Sequence, residues 1–264
     1  MVLLLSSSLT RADNTNSILI EQVAGGNNLD LLIEQIGYNN KIFFSIGDVD
    51  DTTIDLKQEG NNNELGYAND SPSWGTGVGW GGDIDFDDQD IKLWQNCTKT
   101  TCAKNDIQFH ISYGTNNKVW WAQGYEISSR TDTSWTKDNT EGGGHKVTID
   151  IHGNRNEIVG QQRSCSNNNC SGHTAQIYIY GDDNSVFGKQ KADSSKTFNL
   201  TIQNDDNVVD YLQDGNASHV ANITLTGAYG TDLDLVQHAG SAQSYSLSQN
   251  CQTSGGCTIS VTQQ

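Results

Sequence analysis

The chain has 264 residues, only 34% of them apolar, with 27 glycines and a single proline, a composition that excludes a helical bundle and an α/β enzyme. Its 15 basic and 32 acidic side chains leave a net charge of −17, which argues against nucleic acid or an anionic membrane as partner and for a soluble, self-repelling monomer. No run approaches the roughly 20 apolar residues of a membrane span.

Residues 1–12, MVLLLSSSLTRA, read as the remnant of an export signal: a brief apolar run, then small residues and Ala12 at a plausible cleavage point, without the usual basic start. Residues 13–264 read as one domain. Long amphipathic helical stretches are absent. Short runs of Ile, Val, Thr, Tyr and Trp alternate with polar residues between Asn, Asp and Gly clusters, which predicts an all-β chain.

The pattern starts with Asn16, Ile18, Ile20 and Gln22, a half-unit with nothing before it. Leu29, Leu31, Ile33 and Gln35 follow, answered by Asn40, Ile42, Phe44 and Ile46; then Thr52, Ile54, Leu56 and Gln58 by Asn63, Leu65, Tyr67 and Asn69. Alternate residues of a strand share a face, so each half-unit points four side chains inward. The third rung ends on Gln89, Ile91, Leu93 and Gln95, while its first half is either residues 78–84 or a stretch centred on Ile84 and Phe86. The fourth pairs Asn105, Ile107, Phe109 and Ile111 with Asn117, Val119, Trp121 and Gln123. Later units run His145 to Ile151 with Asn156 to Gln162, His173 to Ile179 with Asn184 to Gln190, and Lys196 to Ile202 with Asn207 to Gln213. His219 to Leu225 with Thr231 to Gln237, and Gln243 to Gln249 with Cys257 to Gln263, complete the series.

Where no loop intervenes the step is 23 residues, and Asn-x5-Gln recurs at Asn16, Asn117, Asn156, Asn184 and Asn207. One unit cannot bury its inner face, whereas a stack can. The expectation is a β-solenoid of about nine rungs, two short strands per rung, with lateral loop insertions. Stacked amides then pair with their copies above and below, which offsets the cost of burying them. The expected structural ladder comprises Asn16, Gln22, Gln35, Asn40, Gln58, Gly60, Asn63, Gln95, Asn117, Gln123, Asn156, Gln162, Asn184, Gln190, Asn207, Gln213 and Gln237. Insertions at 70–82, around Cys97 and Cys102, at 124–144, and around Cys165 and Cys170 fall between rungs and so project from one lateral edge. The 6 cysteines form three close pairs, Cys97/Cys102, Cys165/Cys170 and Cys251/Cys257, expected disulfide staples of an oxidising compartment.

Residues 52–69, TTIDLKQEGNNNELGYAN, resemble the curlin repeat, Ser-x5-Gln-x-Gly-x-x-Asn-x5-Gln, through Gln58, Gly60 and Asn63, with Thr52 for Ser and Asn69 for the closing Gln. Leu29 to Ile46 is similar through Gln35, Gly37 and Asn40. The resemblance implies a secreted, cell-surface subunit that polymerises end to end into extracellular amyloid fibres for adhesion and biofilm matrix. Its implied partners are other copies of itself, with export and nucleation partners, and no cofactor. Later repeats depart from the family, with Ile or Leu in place of Gln at Ile111, Ile151, Ile179 and Leu225, and His or Lys in place of Ser at His145, His173, Lys196 and His219.

Those three histidines with Lys196 form one column, read as titratable rather than metal-binding because a cation within it opposes a metal. The acidic runs at Asp48 to Asp51 and Asp83 to Asp90 lack an EF-hand loop and read as solvated turns. Gly77, Gly79 and Gly82 fit Gly-x-Gly-x-x-Gly with no helix following, so no dinucleotide site is expected. No nucleophile elbow or metalloprotease helix is present, and the chain is not expected to be an enzyme. A second reading is a monomeric secreted adhesin that binds glycans or surfaces through loops carrying Trp74, Trp80 and Trp135.

Overall fold

In a computed structural model of the chain, residues 2–7, 17–22, 30–46, 53–60, 63–65, 83–84, 90–96, 103–111, 114–129, 131, 136–137, 143–163 and 172–264 are described. Among them there is no helix. They form a parallel β-solenoid of about 7 turns with two sheets facing each other across one core.

The first, here the glutamine sheet, runs from Val2–Ser7 through Asp30–Gln35 to Thr53–Ile54. Single bridges at Asp90, Lys118 and Glu157 carry it to Ser185–Val186, and Val208–Asp214, Thr231–His238 and Cys257–Gln263 extend it. The second, the histidine sheet, stacks Ser17–Gln22, Lys41–Ile46, Glu64–Leu65, Asp106–Ile111, Lys146–His152, Thr174–Tyr180, Lys196–Ile202, His219–Gly227 and Gln243–Cys251. Strict alternation drives both. In Lys196–Ile202 every second residue is buried, and the inward Ile, Leu and Val of both sheets form one continuous cluster.

Two departures from the sequence reading come from residues 63–95. Asp83 and Ile84 pair with Ser45 and Ile46, on the same strand whose Lys41 and Ile42 pair with Glu64 and Leu65. The segment between Leu65 and Asp83 is therefore inserted within a rung's second strand, not between rungs. The open register of the third rung closes accordingly, because Ile84 completes the strand that Leu65 begins. Beyond Ile84 the assignment of halves shifts by half a turn. Gln95 bonds to Gln58, and Ile107 lies opposite Leu65, so residues 91–95 continue the first halves and residues 105–111 the second. Residues 2–7, read as an export remnant, form a strand in register with Asp30–Gln35.

The middle inward position of the glutamine sheet shows how a solenoid accommodates uneven side chains. Trp121 is fully buried, and a Cβ on Gly160 (φ +81°) would lie 1.9 Å from its ring. Gly188 (φ +111°) stands in the same relation to Tyr211, at 2.3 Å, and Tyr211 stacks on Phe198 at 3.6 Å between ring centroids. Each large ring thus fills the room left by a glycine one turn away, in a backbone conformation that glycine adopts without strain.

The insertion that begins at Gly124 does not simply project. Tyr125 and Ile127 fold back over the outer face of the glutamine sheet, where they bury Trp120, Ala122 and Val159 with Trp94 and Phe187 at the margin. The Trp94 and Tyr125 rings meet edge to face at 5.3 Å.

Candidate functional site

The polar residues that sequence predicts for the interior converge in three axial columns. At the exit of the glutamine sheet, Gln58 donates to Gln35 at 2.7 Å and Gln95 to Gln58 at 2.9 Å. Gln123 donates to Gln162 (3.0 Å), Gln162 to Gln190 (2.9 Å), Gln190 to Gln213 (2.8 Å), Gln213 to Gln237 (2.7 Å) and Gln237 to Gln263 (2.7 Å). The direction of donation reverses between Gln95 and Gln123. A second N–H crosses the core to the histidine sheet, where the carbonyls of Lys41, Asp106, Lys146, Thr174, Thr197, Val220 and Ser244 accept it. That strut fixes which end of each amide is nitrogen, and it ties the two sheets together at every such turn.

At the entrance of the same sheet, the side-chain oxygens of Asn117, Asn156, Asn184 and Asn207 each accept the backbone N–H one turn on, at 2.8–3.0 Å. Asn40 does the same for Asn63 at 2.9 Å, and its amide donates to the Gly60 carbonyl at 2.5 Å. However, Asn40 and Asn63 belong to the histidine sheet, so the asparagines fall in two columns and not one. Gln22 lies opposite Ile46 in that same sheet, away from the glutamine ladder. Asn16 lies outside the described residues.

The third column is the entrance of the histidine sheet, in which His145, His173, Lys196 and His219 are all 0% exposed. It continues the asparagine chemistry. Asn105 accepts the His145 N–H at 3.1 Å, His145 Nδ1 accepts the His173 N–H at 3.0 Å, and His173 Nδ1 accepts the Lys196 N–H at 3.2 Å. A backbone N–H can only donate, so both Nδ1 atoms are unprotonated and the proton of each neutral ring sits on Nε2. His173 Nε2 donates to the Arg163 carbonyl at 3.0 Å, and His219 Nε2 to the Asp214 carbonyl at 2.7 Å. Burial, reinforced by the neighbouring His145 and Lys196, holds His173 well below the usual imidazole value of 6.5; burial lowers His219 as well.

Lys196 cannot accept a hydrogen bond, and its ammonium instead donates to the carbonyls of Ser194 (2.8 Å), Gly215 (2.8 Å) and Ala217 (3.2 Å). Burial brings it down to about 8, against the pull of Asp214 and Asp193. Among the described residues no group of three His, Cys, Asp or Glu could hold a metal ion.

Cys251 and Cys257 form a disulfide across the turn between Gln243–Cys251 and Cys257–Gln263. Cys97, Cys102, Cys165 and Cys170 lie outside the described residues, as do Trp74, Trp80 and Trp135. The outer-face cluster around Trp120 and Tyr125 is absent from the sequence reading. Its signal was the pair Trp120 and Trp121, adjacent in a run that reads as a strand, where neighbouring side chains face opposite ways and require cover on both sides. Lys57 over Trp94 at 4.9 Å and Lys92 over Trp120 at 5.0 Å dress that cluster.

No family model, curated protein or solved structure matches the chain. Its class, a parallel β-solenoid tied by amide ladders, rests on the geometry just described.

Proposed function

We propose that the protein is an exported, curlin-like structural subunit, its 23-residue repeat forming a solenoid of about nine turns that assembles end to end into extracellular fibres for adhesion and biofilm matrix. The observation that carries this reading is the glutamine ladder, in two runs from Gln35 to Gln95 and from Gln123 to Gln263. Within each run the same amide contact joins successive turns, and a turn supplied by another copy beyond Gln263 would extend the later run and its strand edge. In the turn formed by residues 243–263, the inward Tyr245, Leu247, Ile259 and Val261 are only partly buried, and a further turn would cover them. The partners are then copies of the chain, with export and nucleation partners to deliver and start them.

Electron microscopy and thioflavin fluorescence of the purified, incubated protein test it. Fibres with a cross-β repeat near ~4.8 Å are expected; a chain that stays monomeric and thioflavin-silent at high concentration rules the reading out.

A second reading, a monomeric adhesin that takes glycans, draws on a groove of about 490 Å³ on the outer face of the glutamine sheet, lined among others by Ser128, Thr131, Phe187, Lys189, Asp210 and Asp234. An aromatic ring beside carboxylates and hydroxyls suits a sugar. Polysaccharide binding by the monomer, lost on Asp210→Ala and Asp234→Ala, would favour it.

A further inference from the structure

We propose that His145 and His173 form an acid latch: their neutral rings hold the backbone of the following turn, and their protonation opens the stack between the turns that carry His145, His173 and Lys196. Each Nδ1 is the acceptor for the next turn's N–H, at 3.0 Å for His173 and 3.2 Å for Lys196. A proton on Nδ1 would turn that acceptor into a donor aimed at a donor, so the bond between turns is replaced by a repulsion. The two rings lie 5.0 Å apart, tilted by 36°, and both residues are 0% exposed.

Around His173, the basic groups of the described column oppose a proton on its ring. On one side of His173 stands His145 and on the other Lys196, and both oppose a proton on His173. The Arg163 main chain offers a carbonyl to Nε2, while the Arg163 guanidinium is engaged with Glu126 at 2.9 Å. The nearby carboxylates, Asp193 and Asp214, act on Lys196, and Asp214 is already paired with Lys191 at 3.0 Å and His238 at 3.5 Å. Acid therefore loads a buried column with like charges in register while removing its hydrogen bonds. The asparagines at the same position show the alternative, since Asn40 and Asn105 make the same bond from an oxygen that does not titrate. The latch is thus confined to the later turns, whereas the earlier ones carry an acid-indifferent version.

The test replaces the rings by the residue the column itself uses. In the double variant His145→Asn, His173→Asn, circular dichroism on lowering pH is expected to show the loss of sheet displaced to more acid pH by about one unit relative to the unsubstituted chain. An unshifted acid midpoint, with stability at pH 8 unchanged, overturns the latch. Should the double variant fail to fold, imidazole nitrogen chemical shifts of the unsubstituted chain decide the matter. Neutral Nε2–H rings that persist until the sheet opens support the proposal. Rings protonated at pH 5 while the His173 and Lys196 amides stay protected from exchange overturn it.

Discussion

Gln162 makes three bonds at once: it accepts from Gln123, donates to Gln190 and donates to the Lys146 carbonyl. Replacing it by leucine keeps the volume and orphans partners above, below and across the core, at a cost of about 1–3 kcal/mol for each buried group left unsatisfied. Gln162→Leu is expected to lower stability by about 3 kcal/mol or more in urea unfolding. Lys196 poses a different question, since it occupies a histidine position. Lys196→Met removes the donor for the Ser194, Gly215 and Ala217 carbonyls and is expected to cost about 2 kcal/mol or more. Lys196→His restores an acceptor to the column and a ring donor toward the carbonyls, and should be milder. If Met proves the better tolerated of the two, the carbonyl cradle contributes nothing.

At the scale of elements, the strands are held less by propensity than by stacking in register. Glycine at 160 and 188 would be a defect in an isolated strand, yet here it is the cavity that Trp121 and Tyr211 fill. Gly160→Ala places a methyl against the Trp121 ring and a side chain at φ +81°. Both effects point the same way, and a loss of about 2–4 kcal/mol is expected, with Trp fluorescence reporting the displaced indole. The disulfide between Cys251 and Cys257 acts on a single turn, with Cys251 buried beneath it. Reduction should leave the earlier turns intact and expose residues 252–256 to limited proteolysis. Global unfolding on reduction would show that the last turn holds the rest, against the nearest-neighbour behaviour of repeat folds.

For the whole molecule, the buried basic side chains set the sign of the pH dependence. His173 and His219 are lowered from 6.5, so the unfolded chain takes up protons first and stability falls as pH drops through about 6.5 and on toward the folded values. Lys196, lowered from 10.5 to about 8, loses its proton in the folded chain before the unfolded one, so stability rises between about pH 8 and 10.5. Urea midpoints measured from pH 5 to 10 should therefore climb with pH in both windows. A net charge of −17 also opposes the approach of two copies. Assembly, if it follows the proposed course, should quicken as salt shortens the Debye length from about 30 Å at 0.01 M to about 8 Å at 0.15 M.

The sequence by itself determined the class of fold and the chemistry of its interior. Alternation with a 23-residue period leaves a two-sheet stack as the way to bury Ile, Leu, Asn and Gln on the same faces, because strand side chains repeat every second residue whatever the loops do. It also placed His145, His173, Lys196 and His219 in one column. What it could not carry was the pairing of halves. Both halves of a rung read alike, each opening on a polar residue and closing four inward positions later, so a half-turn slip leaves the pattern unchanged. Only the strand pairing of Ile84 with Ile46 and the bond of Gln95 to Gln58 decide it, and with it the division of the asparagines into two columns. The protonation of the histidines was likewise hidden, because it follows from which backbone N–H points at Nδ1, a direction set by the turn above.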